Sequence, residues 1–392
     1  MEARRAHRGE PPFFGTDLGV RWRFRATRIG WRVTKLSRCQ MLTHDKLIDG
    51  IVQLRLNTRC LHAADESGGN IAKEFQHLGV DDTPENRIAY RGAMITTAGY
   101  GEVIGGVILF DETFRQTYEG KTVPDILKRQ GVVVGVKVDF GLQAFSTSKI
   151  EQVGKNGLAD LSKRMEEYAA KDVRFTKFRV VANIGRESGR DLPSDECLAA
   201  NAALLAEYAE ICHRFGVVPI VEPEVPMDSP HSLEECRQAS SRFLKATFAS
   251  LEQRRIFLPG VILKTNMVLP GVKGPQATEA DCIRETISTL ETNVPSNVGG
   301  VVFLSGGQAT ADAMRRLEEM RKAARRKGLP FAMSSSFSRA LQGPALEEFG
   351  AAIRDRASAA DIKRRTQAKF AETLKLNKMA LDNSVVRYQA VV

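Results

Sequence analysis

Short apolar runs recur along most of the chain, and each is rich in Val, Ile, Leu or Phe. The eight runs are 61–64, 103–110, 132–138, 175–181, 217–221, 261–263, 300–304 and 331–333. Runs of this length and composition are typical of strands that are buried on both faces of a parallel sheet. Successive runs begin about 30 to 45 residues apart, so each interval has room for a crossover helix and its loops.

Helical periodicity fills several of these intervals. Apolar residues recur three and four positions apart over 196–215, which ends before Gly216, a common C-terminal stop. Residues 232–253 begin with the Ser–Glu spacing of a capping box, and 309–327 follows a glycine-rich turn. Eight strand–helix units in about 290 residues predict an α/β fold, a single-domain (β/α)₈ barrel. An open doubly wound sheet is the alternative, although no GxGxxG motif follows the first strand.

Charged and polar side chains recur near the C-terminal ends of the predicted strands. Asp65 and Glu66 follow the first strand, and four later strands carry the pairs Lys137 and Asp139, Lys177 and Arg179, Glu222 and Glu224, and Lys264 and Asn266. Residues two apart in a strand face the same side. A solvated edge or a salt bridge explains one such pair. Four pairs in succession indicate a polar cluster inside the barrel mouth, where barrel enzymes have their active sites.

The three lysines of this cluster, Lys137, Lys177 and Lys264, suggest a specific chemistry. Like charge and desolvation both disfavour an ammonium ion, so crowded lysines lose protons more easily. A neutral lysine amine attacks a carbonyl to form a Schiff base, and a nearby carboxyl group can move protons as water leaves. No HxxxH, HxH or CxxC spacing occurs, so the sequence predicts no metal site, and an iminium ion is the available electron sink.

Two features after the last strands predict a phosphate site. Ser305, Gly306 and Gly307 lie between the seventh strand and a helix, and backbone N–H groups of a glycine-rich turn at a helix N-terminus bind anions. The eighth strand leads through three serines at 334–336 to Arg339. Phosphate sites after strands 7 and 8 are frequent in barrels.

Several motifs together resemble those of class I fructose-1,6-bisphosphate aldolases. The motifs are AADES at 63–67, GGVILF at 105–110, VEPE at 221–224, LKTNM at 263–267 and FLSGGQ at 303–308. The resemblance runs from about residue 44 to 375. It implies a (β/α)₈ barrel, usually tetrameric, that needs no metal or other cofactor. The implied reaction is reversible cleavage of fructose 1,6-bisphosphate to dihydroxyacetone phosphate and glyceraldehyde 3-phosphate in glycolysis and gluconeogenesis.

The resemblance also assigns catalytic roles to individual residues. It makes Lys264 the Schiff-base nucleophile and Glu222 the acid/base for imine formation. Asp65 would hold and deprotonate the C4 hydroxyl of the substrate during cleavage of the carbon–carbon bond. Lys177 would lie beside the reacting carbons, and Glu224 completes the catalytic set.

A set of substrate-binding residues around the mouth is implied in the same way. They are Ser305, Gly306 and Arg339 for the C1 phosphate, Lys137 for hydroxyls and phosphate, Arg179 for the substrate's phosphate end, and Glu66 and Ser67 at the edge. Many similar aldolases end in a tyrosine that reaches the site and moves a proton. Here the corresponding candidate is Tyr388, and a tail tyrosine without a function is the equal alternative.

Some positions depart from the family pattern. Glu74 replaces a common Arg that helps with the second phosphate, and Asn70 replaces a common Ser. Ser338 replaces the Gly before Arg339, and its N–H is expected to fit a phosphate less easily. Two alternatives therefore stay open. One is another Schiff-base barrel enzyme, such as a transaldolase or an aldolase for a singly phosphorylated sugar, and the other is a barrel with an added scaffold role that binds actin or an adhesin tail.

The distribution of charge adds a domain prediction. The chain has 392 residues with 57 Lys+Arg and 47 Asp+Glu, and residues 1–40 contain nine Arg and one Lys against three acids. We predict a basic extension at 1–40 that is disordered or cleaved, the barrel at 41–375 and a mobile tail at 376–392. The extension is interpreted as a transit peptide, a basic arm or a tail without a function. The remaining chain has no basic stripe with interleaved aromatic residues, so no nucleic-acid partner is predicted.

The remaining composition bears on location and partners. No run of about 18 apolar residues occurs, so no membrane span is predicted. The six cysteines have no disulfide-framework spacing, which indicates free thiols in a reducing compartment. We therefore predict a cytoplasmic protein, or an organellar one if 1–40 is a transit peptide. Its predicted partners are a phosphorylated sugar and further copies of the chain in a homotetramer.

Overall fold

Fourteen strands occur among residues 38–383, the part of the chain that this computed structural model describes, with side chains from residue 42 onward. They are β1 (Cys60–Ala64), β2 (Ile104–Leu109), β3 (Thr117–Tyr118), β4 (Lys121–Thr122), β5 (Val133–Lys137), β6 (Leu142–Ala144), β7 (Gln152–Gly154), β8 (Phe175–Val181), β9 (Gly185–Glu187), β10 (Arg190–Leu192), β11 (Val218–Glu224), β12 (Ile262–Thr265), β13 (Gly300–Phe303) and β14 (Met333–Phe337). Eight of them, β1, β2, β5, β8, β11, β12, β13 and β14, are parallel and close into a barrel in chain order, and the other six form three short antiparallel pairs. The prediction of a (β/α)₈ barrel is confirmed.

Thirteen α-helices accompany these strands within the same described part of the chain. They are α1 (Arg38–Leu54), α2 (Gly68–Leu78), α3 (Pro84–Ile95), α4 (Tyr100–Val103), α5 (Asp111–Arg115), α6 (Val123–Arg129), α7 (Leu161–Ala170), α8 (Asp195–Arg214), α9 (Leu233–Gln253), α10 (Glu279–Asn293), α11 (Thr310–Lys327), α12 (Arg339–Arg354) and α13 (Ala359–Asn383). The capping box predicted before α9 is present, because the Ser232 and Glu235 side chains each accept from the other's backbone N–H. None of the described helices is long and apolar enough to cross a membrane.

Three predicted boundaries differ from those of the structure. The last strand was predicted at 331–333 from its apolar residues, but β14 runs from Met333 to Phe337 and contains the three serines. Serine is accepted there because the Ser334 and Ser335 hydroxyls bond to Arg59 O and Asn377 Oδ1. The tail predicted from residue 376 begins later, since α13 continues to Asn383. The first helix likewise begins at Arg38, before the predicted barrel start at 41.

The helix α13 is held by its apolar face. Its buried side chains include Phe370, Leu374, Ala380 and Leu381, and these join the large cluster of apolar residues between the barrel and the outer helices. The Ser358 hydroxyl accepts from Asp361 N at the start of this helix, and burial of apolar side chains at helical spacing stabilises its last turns. Residues 1–37 and 384–392 lie outside the described part of the chain.

A second, smaller apolar cluster fills the barrel itself. Leu61, Phe175, Ile220 and Val302 point inward from four different strands, and α1 adds Leu47 and Leu54 at the N-terminal end. The interior is therefore packed with apolar side chains below the mouth. Two residues further along β8, β11 and β12 the inward position is charged, so the apolar layer forms a floor for the charged cluster.

The glycines of β2 and β5 allow this floor to close. A Cβ on Gly135 would lie 2.2 Å from Cε2 of Phe175, and one on Gly106 would lie 3.0 Å from Cε1 of the same ring. Phe175 is completely buried, so its ring has no space into which to move. Small residues on two strands thus accommodate one large side chain from a third.

We predict that Gly135→Ala destabilises the barrel by about 1–3 kcal/mol, the usual range for overpacking. The melting temperature should fall. Gly69→Ala is the matched control, because a Cβ at Gly69 meets no atom within 4 Å and the residue lies in helix α2, where alanine is favoured over glycine. A melting temperature of Gly135→Ala equal to that of Gly69→Ala would contradict this account of the interior.

Candidate active site

Strand register brings the predicted lysines and carboxylates together at the C-terminal end of the barrel. Lys137 on β5 pairs in register with Lys177 on β8, and Arg179 on β8 pairs with Glu222 on β11. Lys264 on β12 pairs with Val302 of the apolar floor. Because paired residues in parallel strands face the same side, these side chains enter the mouth at neighbouring levels.

Lys177 lies at the centre of this cluster. Its Nζ is 2.8 Å from Asp65 Oδ2, 3.0 Å from Glu222 Oε2 and 3.8 Å from Asp139 Oδ2. The side chain is 4% exposed. Burial alone would lower the pKa of Lys177, but Asp65, Glu222 and Asp139 raise it above the ordinary lysine value. Lys177 is therefore a fixed ammonium ion.

Lys264 has a different environment. Its Nζ is 3.1 Å from Glu222 Oε1, and no second carboxylate forms an ion pair with it among the described residues. The side chain is 5% exposed. Three carboxylates contact Lys177, whereas one contacts Lys264. Of the two central amines, Lys264 is the one with fewer carboxylate partners.

Glu222 joins the two lysines, since one carboxylate oxygen contacts each of them. Burial would raise the pKa of Glu222, but Lys177, Lys264 and Arg179 lower it below the ordinary glutamate value. Burial likewise would raise the pKa of Asp65, and the lysines, led by Lys177, hold it well below the ordinary value instead. Both carboxyl groups are thus ionised bases in the free protein at neutral pH.

A second pair of cations lies nearer the rim. Arg179 donates through Nε to Glu224 Oε2, and Lys137 Nζ is 3.4 Å from Asp139 Oδ1. Glu224 was predicted as a catalytic residue, but within the described part of the chain its ion pair is with Arg179 and with neither central lysine. Asp139 was given no individual role, but its spacing of two residues from Lys137 placed it in the predicted polar cluster. It contacts both Lys137 and Lys177.

The predicted phosphate residues converge on the opposite side of the mouth, after β13 and β14. Gly306 and Gly307 have φ of 59° and 90°, backbone conformations that favour glycine. The guanidinium of Arg339 approaches to 3.5 Å from where a Cβ on Gly307 would lie. Ser305 is buried, whereas Arg339 is exposed. The glycine turn and this arginine therefore form two walls of one small region.

The predicted poor fit of Ser338 is not a matter of backbone strain. Its φ is −102°, outside the left-handed region that requires glycine. Its hydroxyl donates to Glu66 Oε1, and so does the Gln342 side-chain amide. Burial raises the pKa of Glu66, and the buried guanidinium of Arg91, whose Nη2 lies 4.0 Å from Oε2, opposes the rise.

The network continues away from the mouth through a buried histidine. His62 Nε2 lies 3.0 Å from Gln342 Oε1, and His62 Nδ1 lies 2.9 Å from the Tyr100 hydroxyl. The ring is fully buried, and burial lowers the pKa of His62 to about 4, with the bond to Gln342 opposing this. Sequence reasoning missed Ser338, Gln342 and His62 as neighbours of Glu66, because residues from β1 and α12 meet only through the barrel closure.

Other predicted or nearby positions have separate placements. Ser67 precedes α2 at the mouth, and its side chain makes no capping bond. Asn266 does not join the cluster, because its side chain bonds to Val225 N and Ser240 Oγ. Ser336 was not predicted, and its buried hydroxyl has no hydrogen-bond partner among the described residues. Tyr388 lies outside them, so its role in proton transfer stays a prediction.

Comparison with known proteins identifies the family. A family model described as fructose-bisphosphate aldolase class-I matches residues 46–388. The chain belongs to the class I fructose-bisphosphate aldolase family. It is 41% identical over 288 residues to a probable class 1 aldolase of Xanthomonas campestris pv. campestris, covering 73% of this chain and 84% of that protein. It is 37% identical over 302 residues to fructose-bisphosphate aldolase 1 of Toxoplasma gondii, covering 76% and 82%.

Solved structures agree with this assignment. The aldolase of Plasmodium falciparum, in a ternary complex with TRAP and a small-molecule inhibitor, has a TM-score of 0.82 and 32% sequence identity. The match covers 90% of this chain and 98% of that one. The protein is thus a carbon–carbon lyase of glycolysis that acts on fructose 1,6-bisphosphate, and the expectation drawn from its motifs is confirmed.

We predict that acidification from about pH 6.5 to 4 destabilises this aldolase partly through His62. The folded pKa of His62 is about 4 and its ordinary value is 6.5, so in this interval the unfolded chain binds a proton that the folded chain excludes. The free energy of unfolding should fall by up to about 1.4 kcal/mol per pH unit for this one group. Denaturant melts across the interval should have a shallower pH slope in His62→Gln, whereas the exposed His77→Gln should keep the wild-type slope. Equal slopes in the wild type and His62→Gln would show that another group is responsible.

Proposed function

We propose that this aldolase acts through a Schiff base on Lys264, with Glu222 as the proton-transfer group. The observation that carries the proposal is that the two Glu222 oxygens contact Lys264 and Lys177 at 3.1 and 3.0 Å. A carboxylate in this position accepts the proton of Lys264 as its amine attacks the C2 carbonyl. It then donates a proton as water leaves the carbinolamine, which yields the iminium ion.

We propose that Asp65 and Lys177 act on the cleavage step. The Asp65 carboxylate, ionised because the lysines lower its pKa, takes the proton of the C4 hydroxyl. The C3–C4 bond then breaks, its electron pair moves to the iminium as an enamine, and glyceraldehyde 3-phosphate leaves as the aldehyde. The fixed ammonium of Lys177 stabilises negative charge as it develops. Protonation and hydrolysis of the enamine release dihydroxyacetone phosphate and restore Lys264.

We propose that the two phosphates bind on opposite sides of this centre. Ser305, Gly306 and Arg339 hold the C1 phosphate through the glycine turn, the N-terminus of α12 and an exposed guanidinium. The other substrate-binding side chains are Lys137 and Arg179 across the mouth, with Ser67 and Glu66 at its edge. Support comes from charge, since Lys137 and Arg179 lie at the rim with Asp139 and Glu224 as partners. A phosphate can compete for these cations.

We also propose that the aldolase is a cytoplasmic homotetramer. Family membership supports the tetramer, and the described cysteines, which are buried and unpaired, support a reducing compartment. Light scattering should then give four times the chain mass of 43.3 kDa. A second candidate role is binding a protein partner such as TRAP, because the similar Plasmodium aldolase was solved in complex with TRAP. Retention of TRAP on the immobilised aldolase, with an unrelated protein as control, tests this role.

We predict that sodium borohydride with dihydroxyacetone phosphate inactivates the enzyme by one covalent adduct on Lys264. Borohydride reduces an imine to a stable amine, so mass spectrometry of the digested protein locates the reacting lysine. EDTA should leave activity unchanged. An adduct on Lys177, or loss of activity in EDTA, would contradict the assignment.

We predict that Glu222→Gln lowers kcat by about 10²–10⁴-fold, the usual contribution of a general acid or base, because an amide cannot exchange protons in this step. Competitive inhibition by inorganic phosphate should change little in the same variant. A change confined to KM would show that Glu222 only binds substrate.

We predict that Arg339→Ala weakens binding of fructose 1,6-bisphosphate by about 1.5–3 kcal/mol, the range for hydrogen bonds to charged groups. The loss should shrink for an unphosphorylated sugar. Wild-type cleavage rates on fructose 1-phosphate beside the bisphosphate separate this function from an aldolase of singly phosphorylated sugars. Equal losses with phosphorylated and unphosphorylated substrates would make Arg339 a structural residue.

A further inference from the structure

Ser338 precedes α12, a helix of 16 residues, at the position where serine normally caps. A capping hydroxyl would accept a hydrogen bond from an N–H of the first turn. Here the Ser338 side chain makes no capping bond and donates to Glu66 Oε1 instead. The first-turn N–H groups, which helix geometry leaves without intrahelical acceptors, are therefore not satisfied by this hydroxyl.

Only one of the two Glu66 carboxylate oxygens receives hydrogen bonds from described residues. Oε1 receives both the Ser338 hydroxyl and the Gln342 amide, and that amide also lies 3.0 Å from Ser338 Oγ. Oε2 is buried without a hydrogen-bond partner among the described residues, and Arg91 Nη2 is 4.0 Å away. Both donors to Oε1 belong to the start of α12. The carboxylate consequently lies beside the same helix N-terminus that is proposed to hold a phosphate.

We propose that Ser338 is a positioning residue of the phosphate subsite, whose hydroxyl keeps the Glu66 carboxylate from occupying the N-terminus of α12. A helix N-terminus binds carboxylates as well as phosphates, so an unrestrained Glu66 is an internal competitor for the substrate phosphate. The inference rests on the proposed phosphate subsite. It applies to this chain because Ser338 supplies a side chain at that position.

The test measures the dissociation constant of inorganic phosphate, together with KM and kcat for fructose 1,6-bisphosphate. Ser338→Ala should weaken phosphate binding by about 3- to 10-fold, the equivalent of losing one restraining hydrogen bond. KM should rise in proportion and kcat should change less. Ser338→Thr keeps a hydroxyl and should bind phosphate within about twofold of wild type. Unchanged phosphate affinity in Ser338→Ala would overturn the proposal.

A double variant separates competition by Glu66 from a direct contact of Ser338 with phosphate. If Glu66 competes, adding Glu66→Gln to Ser338→Ala removes the negative charge and should restore phosphate affinity. If Ser338 Oγ binds phosphate itself, the double variant stays as weak as Ser338→Ala, and the inference is wrong. Arg339→Ala distinguishes a different failure. If that variant also binds phosphate normally, then the subsite itself is wrongly placed.

Ser194 provides a matched control. Its hydroxyl also donates to a buried glutamate, Glu151, at 2.8 Å, and it also precedes a helix, α8. Ser194 differs in capping its helix, since it accepts from Cys197 N. Ser194→Ala should therefore lower the melting temperature and leave phosphate affinity unchanged. An equal loss of phosphate affinity in the two alanine variants would show a general effect on folding and contradict a specific role of Ser338.

Discussion

A buried ammonium ion is stable only while carboxylates surround it, and the mouth of this barrel is organised around that constraint. Lys177 has three carboxylates within 4 Å, contributed by the segments after β1 and β5 and by β11. Removing one partner from a buried ion pair typically costs about 3–5 kcal/mol. The ion cluster therefore restricts the strand register together with the apolar floor beneath it. A shift of one residue in any of these strands would turn its charge toward the outer helices.

The same constraint gives two chemically identical lysine side chains different surroundings. Lys177 and Lys264 both contact the carboxylate of Glu222, yet only Lys177 has two further carboxylates within 4 Å. Lys177 is thereby held as a cation, whereas Lys264, the proposed nucleophile, has one carboxylate partner. Because Glu222 contacts both lysines, a proton transfer between Glu222 and Lys264 changes the charge beside Lys177. In this way a structure that must neutralise buried charge also gives the proposed nucleophile, base and electrostatic stabiliser different surroundings.

The proposed phosphate subsite follows a different principle, because it depends on backbone N–H donors that remain available to a ligand. Glycine conformations at Gly306 and Gly307 and an uncapped α12 present N–H groups at the mouth. The adjacent Glu66 carries a carboxyl group in the region that we propose accepts the substrate phosphate. Its bonds to Ser338 and Gln342 and its proximity to Arg91 reduce this conflict. The departure from glycine at Ser338 is therefore accommodated by a new contact and not by strain.

The sequence by itself determined the barrel and most of its polar cluster. An apolar run indicates a strand that is buried on both faces, and two charged residues two positions apart, such as Lys137 and Asp139, indicate a shared face. Both patterns can be recognised in the sequence because they involve residues that are close along the chain. The tertiary structure alone decided the rest. The place of β14 at Met333–Phe337 depends on partners for its serines, such as Asn377 on α13. The contact of Glu66 with Ser338 spans 272 positions, and it exists only because barrel closure brings the first and last strands together. The number of carboxylates around each lysine is likewise decided by distances between strands, and these have no signature along the chain.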